Sequence, residues 1–450
     1  MIKDFFLKII DRIRNSSFAK NVLTLSAGIV ISQAISLLTS PIVSRIYNPD
    51  VLGDFSIISS NSTIISTVIC MGLMSAIMLP NDDDEAKGLC RLLTKLILGG
   101  ATLFLIAALL LSNRWKMFTV GINYPSACVI LWSIVILQNI NSVCYGYINR
   151  QKLYSVMFWN PSLGTITNAA IKIVLGLMGF GLWGYLWGQL ISSLLVILHM
   201  LHHANPFGGN ISFKSWSLLK KYKDFPLVLL PSNLIGTLSL QLPVQMLSRF
   251  WGSYVLGSYT MCMNIMNLPK NFLAGPVNRV FYREATEKVN RGENIGEFAL
   301  TLVKTNVFIA VIPVCIVVIF GRLLFSFVFG VEWADAGDFA SVMGVYILLS
   351  FSNTCLSGKF VIIGRKKTIL LLNIFGLILN VTMFMICHFM NLSALSTILV
   401  FSITGGALSI FDLSIFMKQT GVPLNRLYGF VFKYLLLPIL ICAMIRIWLF

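Results

Sequence analysis

Apolar runs of about twenty residues recur along this chain from one end to the other, broken by short polar segments. A run of that length crosses a hydrocarbon core of roughly 30 Å as an α-helix. Only helices and closed barrels can satisfy every backbone N–H and C=O group there. A membrane barrel is built from alternating segments of about 10 residues, and these runs do not alternate. The sequence therefore reads as an all-α polytopic membrane protein. Its charged fraction of 11% and mean hydropathy of +0.83 agree, since charged residues make up about 25% of a soluble domain.

Thirteen spans are expected, over 21–46, 54–79, 92–112, 123–148, 155–178, 182–203, 225–249, 254–281, 297–320, 337–363, 367–390, 393–417 and 427–449. They group into an N-terminal six-helix bundle (21–203), a linker (204–224), a C-terminal six-helix bundle (225–417) and an additional membrane segment (427–449). Ahead of them, residues 1–20 place Ile2, Phe5, Phe6, Ile9, Ile10 and Ile13 on one face and charges on the rest. That pattern predicts an amphipathic helix lying in the interface, and it does not have the form of a cleavable signal peptide. Nine cysteines stand singly, with no CxxC pair, and read as small core residues.

The net charge of +17 is mostly a statement about orientation. With these spans, 24 of the 34 lysines and arginines fall in loops or at span ends on one side and six on the other: Arg45, Arg114, Lys116, Arg249, Arg322 and Arg446. The positive-inside rule puts the richer side, and the N-terminus with it, in the cytoplasm. A nucleic-acid partner is excluded, because the cations are dispersed over many short loops. The remaining four, Lys172, Lys270, Lys304 and Lys359, lie inside spans whose interior otherwise carries one acidic residue, Asp412. Intramembrane charges are costly and mark function by default, and a cationic interior suits an anionic cargo.

Residues 44–53 read SRIYNPDVLG and residues 248–257 read SRFWGSYVLG, with Ser44/Ser248, Arg45/Arg249, Val51/Val255, Leu52/Leu256 and Gly53/Gly257 identical. Each copy follows the first span of a six-span half. A parallel internal repeat of this kind builds transporters from two bundles with the substrate between them, and implies alternating access.

The stretches KNVLTLSAGIVISQAISLLTSPIVSRIYNPDVLGDFSII (20–58), YKDFPLVLLPSNLIGTLSLQLPVQMLSRFWGSYVLGSYTM (222–261) and NLPKNFLAGPVNRVFYREATE (267–287) resemble the polysaccharide flippases. These are Wzx-type O-antigen and repeat-unit translocases of the multidrug/oligosaccharidyl-lipid/polysaccharide exporter superfamily. The resemblance implies a bacterial inner-membrane protein moving an undecaprenyl-pyrophosphate-linked oligosaccharide from the cytoplasmic to the periplasmic leaflet. It implies a twelve-span core, to which the last segment is an addition. Membrane lipids, and a polysaccharide polymerase or chain-length regulator, are the partners it suggests. No cofactor or metal is expected. Proton or sodium coupling is the open question, with Asp412 as its candidate residue.

Carrying a pyrophosphate and sugars across a region of low dielectric calls for cations, hydroxyls and amides. In the fifth span Asn160, Gly164, Asn168 and Lys172 recur every four residues, forming one stripe. Asn233, Thr237, Gln241 and Gln245 do the same in the seventh, and Gln33, Ser36 and Ser40 line the first. Such ladders either line a cavity or join helices. Lys270 is the sharpest candidate, deep in the eighth span, after Pro269 and flanked by Asn267 and Asn271. Its alternative is a structural partnership with carbonyls or with Asp412. Lys304 and Lys359 are near enough to a span end to snorkel. Arg45 and Arg249 would receive the phosphate at the external mouth or anchor helix ends. The run Asp82–Glu85 reads as a solvated turn. His199, His202 and His203 share a span end without a third type of metal ligand.

Two other functions compete. A multidrug exporter of cations needs an anionic cavity, and the first and seventh spans hold no acid. A membrane enzyme of polysaccharide assembly needs a catalytic loop, and the longest loop has about 20 residues, with neither paired carboxylates nor a nucleotide-binding glycine motif.

Overall fold

The computed structural model describes residues 17–111, 120–208 and 215–449. The interfacial helix expected over 1–20 falls on residues 1–16, outside the described part, and from Ser17 the chain is already in the first long helix. Arg114 and Lys116 also lie outside it.

The described chain is all α-helical. In order, the helices are α1 (Ser17–Ile46), α2 (Pro49–Cys70), α3 (Asp83–Leu110), α4 (Tyr124–Arg150), α5 (Tyr154–Leu177), α6 (Leu182–His203) and the short α7 (Ser215–Lys221). Then come α8 (Leu230–Met266), α9 (Gly275–Asn290), α10 (Gly296–Phe329), α11 (Ala334–Cys355), α12 (Lys366–Phe389), α13 (Ala394–Gln419), α14 (Leu424–Val431) and α15 (Leu437–Leu449). Among the described residues, nine helices are long and apolar enough to cross a membrane. The other four expected spans are helical too (α2, α5, and the chain from α8 to α9), but their amides, hydroxyls and lysines lower the hydropathy. The polar stripes are thus concentrated in the helices that are least lipid-like.

Several boundaries differ from the sequence expectation because helices start at their caps and not at their first apolar residue. The second span begins at Pro49, not 54, since the Asn48 side chain accepts from the Val51 N–H at 3.1 Å and Pro49 holds the first helical position. The third begins at Asp83, not 92. Asp82 caps it by accepting from the Asp84 N–H, and Asp83, Asp84 and Glu85 fill the first turn, where the helix dipole favours anions. The run Asp82–Glu85 is therefore a helix start and not a solvated turn.

Three π-helical turns interrupt the helices, at Phe225–Leu229, Lys270–Ala274 and Phe432–Leu436. Each is followed two residues later by a proline: Pro231, Pro276 and Pro438. A proline has no N–H to give the carbonyl four residues back, so the preceding turn widens, as when the Leu437 N–H bonds the Phe432 carbonyl. Such turns are frequent at functional sites, and one of them carries Lys270.

The chain forms two compact units. One comprises the described chain up to Ile46 together with Ile57–Thr237; the other comprises Tyr47–Ser56 together with the chain from Leu238. In the first, α5 lies between α1 and α6: Gly28 abuts the Phe158 backbone, and Ser32 bonds Thr165 at 2.7 Å. Asn139 joins α4 to α2, donating to Ser66 at 2.7 Å and accepting from Cys70. On the side bearing the basic loops, Glu85 is buried and accepts from Lys221 at 2.5 Å and Tyr222 at 2.9 Å. Asp83 gathers Lys87, Arg150, Tyr147 and Gln151.

In the second unit α10 and α11 cross closely. Gly321 and Gly337 meet there, and a Cβ on either would collide with the other's carbonyl oxygen. Small residues permit such approach between membrane helices. A core of Val303, Val307, Leu349, Phe416, Leu427 and their neighbours fills the space toward α13 and α14.

Candidate functional site

The second unit brings two of the four membrane lysines to one face of α11. Ser350 and Asn353 are three residues apart and so share a side of that helix. Lys270, on the π-helical turn after Pro269, reaches the Ser350 hydroxyl at 3.4 Å. Lys359 donates to Asn353 Oδ1 at 2.9 Å and to Asp412 Oδ2 at 2.8 Å. The Asn353 amide in turn donates to the Ser409 carbonyl of α13 at 3.0 Å. Gly358, left-handed at φ 86°, ends the α11 segment and turns the chain so that Lys359 points back at α13. Asn278 of α9 secures the same turn, donating to the carbonyls of Cys355 and Ser357.

The two lysines differ electrostatically. Lys359 is 4% exposed and its charge is matched by Asp412. It is buried, not snorkelling: its partner lies on another helix, 53 residues away, which hydropathy cannot reveal. Asp412 is consequently the partner of Lys359 and not of Lys270. Its second oxygen, Oδ1, is buried and has no hydrogen-bond partner in the described structure. Lys270 is half-buried, and among the described residues no carboxylate lies within ion-pair range of it. Asn267 turns its amide to the Met263 carbonyl, 2.8 Å away on its own helix, while Asn271 is exposed.

Other sequence candidates lie elsewhere. The stripe on α5 faces α6: Asn160 Oδ1 is 2.7 Å from His199 Nδ1, and the Asn168 amide donates to Gln189 and Ser192 at 3.2 Å. Lys172 is buried over the Tyr185 ring at 3.4 Å from its centroid, its stem against Gly188. Lys304 sits over Phe430 at 5.7 Å. Gln33 and Gln241 are half-buried; Asn233 is exposed, close to Gly72. Arg45 and Arg249 are exposed, each just before a break in its helix: Tyr47–Asn48 after the first, and Gly252, with φ 87° and ψ 178°, after the second. Asp54, placed by hydropathy at a span edge, is 6% exposed inside α2 and accepts from the Ser253 hydroxyl at 2.5 Å. Ser350 and Asn353 were not singled out from the sequence either. Their signal is the run Ser350-Phe351-Ser352-Asn353-Thr354 at the end of an otherwise apolar helix.

These helices, with lysines and amides buried among them, define a multi-pass membrane protein. Its fold is shared with several solved membrane transporters. The inward closed form of the lipid II flippase MurJ aligns with 94% of this chain and 97% of its own, at a TM-score of 0.67 and 14% identity. An inward-facing multidrug transporter of the MATE family aligns with 88% and 98%, at 0.63 and 18% identity. A MOP superfamily transporter from Pyrococcus furiosus aligns with 89% and 96%, at 0.57 and 17%. The family profile described as polysaccharide biosynthesis protein matches residues 42–338, and the chain belongs to that family. Over 255 residues it is 23% identical to the succinoglycan biosynthesis transport protein ExoT of Rhizobium meliloti, covering 55% of this chain and 49% of that protein. The chain thus matches about half the length of this curated relative.

Proposed function

We propose that the protein is a flippase that carries an undecaprenyl-pyrophosphate-linked oligosaccharide repeat unit from the cytoplasmic to the periplasmic leaflet of a bacterial inner membrane, by alternating access. The observation that carries this reading is Lys270, a half-buried cation with a hydroxyl and, among the described residues, no carboxylate in ion-pair range. A cation kept in a poorly solvated place without a counter-ion is stabilised by an anion that arrives there. The pyrophosphate supplies two such charges, while the polyprenyl tail remains in lipid. Membership of the polysaccharide biosynthesis family supports it, as does similarity to a protein named for transport in succinoglycan biosynthesis. The likeness to a lipid II flippase supplies a fold suited to the task. Asp412 remains the candidate for proton or sodium coupling, because one of its oxygens is buried without a partner.

The test is a chromosomal deletion complemented with Lys270→Ala, Lys270→Gln or Lys270→Arg, reading surface polysaccharide, lipid-linked oligosaccharide and the amount of inserted protein. Lys270→Ala and Lys270→Gln are expected to abolish surface polysaccharide and to leave completed repeat units on the cytoplasmic leaflet at normal protein level. Lys270→Arg is expected to retain roughly tenfold more export than Lys270→Gln, the rate equivalent of about 1.4 kcal/mol of charge interaction. Normal polysaccharide in Lys270→Ala would overturn the reading, and so would accumulation of incomplete repeat units.

A further inference from the structure

A second feature of this protein has the form of a lipid site. Along α10, Phe308, Ile312, Ile316 and Phe320 recur every four residues and are all exposed, forming one ridge. With Tyr434 and Pro438 of the C-terminal segment they wall an open apolar groove of about 340 Å³. The π-helical turn at Phe432–Leu436 widens the helix beside it. One turn before Phe308, the same ridge ends in Lys304. Lys433, on the π-helical turn itself, is exposed next to Tyr434. The rings of Phe308, Phe430 and Tyr434 meet with centroids 5.1 to 5.5 Å apart. Lys304 lies over Phe430 and Lys433 over Tyr434, so the two ammonium groups flank one aromatic cluster at the end of the groove. Among the described residues neither has a carboxylate in ion-pair range, and the nearby Arg426 is already engaged by Glu297.

We propose that this groove binds an anionic glycerophospholipid of the leaflet bordering the basic loops, its acyl chain along the α10 ridge and its phosphate between Lys304 and Lys433. The charges select the occupant. A zwitterionic lipid would fill the groove equally well, but its own ammonium offsets its phosphate and adds a cation beside the two lysines, so the positive charge of the site stays unbalanced. Basic pockets between membrane helices on the positive-inside face recognise anionic headgroups in this way. The site is independent of the cargo proposed for Lys270. It assigns Lys304 to a resident lipid and not to the transported one.

The experiment places the full-length protein in nanodiscs of equal phosphatidylglycerol and phosphatidylcholine, re-extracts it in mild detergent and counts bound lipids by native mass spectrometry. The wild type is expected to retain phosphatidylglycerol preferentially. Lys433→Gln, an exposed change that leaves the core intact, is expected to reduce that preference about fivefold, and Lys304→Gln/Lys433→Gln more than tenfold, as roughly one charge contact is lost per lysine. Ile312→Trp, which fills the groove without altering charge, is expected to lower retention of both lipids. Equal retention of the two lipids by the wild type, or an unchanged preference in the double variant, would overturn the proposal. Displacement of phosphatidylglycerol by an added polyprenyl phosphate at equal concentration would overturn it as well, giving the groove to the tail of a transported lipid.

Discussion

Gly53 and Gly257 meet where the two similar segments 44–53 and 248–257 cross, each against the backbone of the other segment. A Cβ on Gly53 would collide with the Ser253 carbonyl, and a Cβ on Gly257 with the Pro49 carbonyl. Pro49 and Ser253 are matched positions of the two segments, as are the two glycines, so the contact is reciprocal. The helix breaks just before it also correspond: Asn48 in one segment aligns with Gly252 in the other. The symmetry is broken by Asp54, which takes the Ser253 hydroxyl and has Ser258 as its counterpart.

That crossing leaves no room for a methyl group. Gly257→Ala should therefore lower the unfolding midpoint of the detergent-solubilised protein, by the equivalent of about 1–3 kcal/mol for overpacking. Gly99→Ala is the comparison, since a Cβ there meets nothing within 4 Å. It should be neutral or stabilising by up to about 1 kcal/mol, through helix propensity. Equal midpoints for the two variants would show that the crossing relaxes.

The Lys359–Asp412 pair predicts a second asymmetry. Removing one partner of a buried pair strands the other charge, at a cost of about 3–5 kcal/mol, whereas apolar replacement of both is often close to neutral. Lys359→Met should thus be markedly less stable than Lys359→Met/Asp412→Leu in the same unfolding measurement. If the double variant is as unstable as the single one, the pair is not what the lysine contributes.

Much of the fold was legible in the sequence because a continuous apolar run of about twenty residues marks a membrane helix wherever it occurs. The starts at Pro49 and Asp83 were missed because a cap is polar, and hydropathy discards the residues that begin the helix; Asn48-Pro49-Asp50 carried the signal. The site was legible only as residue type. The sequence showed that Asn160, Asn168 and Lys172 share a stripe, but the neighbour that stripe faces is a property of packing. Lys359 looked like a snorkelling cation because Asp412, its partner, stands on another helix, and no periodicity links the two.

The loop side offers a pH-dependent test. The Lys221 ammonium is held above the ordinary lysine range, chiefly by its hydrogen bond to Glu85. A raised lysine pKa means that the contact contributes fully at neutral pH and is lost as the pH climbs through the raised value, beyond the usual lysine range. Trypsin should cut the linker of Glu85→Gln, at Lys220 and Lys221, several-fold faster than that of the wild type at pH 7.5. The gap should narrow as the pH approaches that range. Identical cleavage rates at neutral pH would mean that Glu85 does not restrain the linker.

The last membrane segment yields the sharpest topological prediction. Arg426 pairs with Glu297 at 2.6 Å, and Arg446 donates to the Val318 carbonyl at 3.3 Å and to Asp338 at 2.5 Å. Glu297 and Val318 stand 21 residues apart on α10, about 31 Å at a rise of 1.5 Å per residue. The segment from Arg426 to Arg446 therefore runs alongside α10, in the same direction, for the full thickness of a hydrocarbon core. Its two arginines sit at opposite ends, and the second joins Arg322 in holding Asp338. A cysteine in place of Trp448, which is 85% exposed, should accordingly react with a membrane-impermeant maleimide added to intact cells. One in place of Lys418 should react only after permeabilisation. Labelling of both from the same side would show that the segment lies along the surface, and the arginine pairs would then need another explanation.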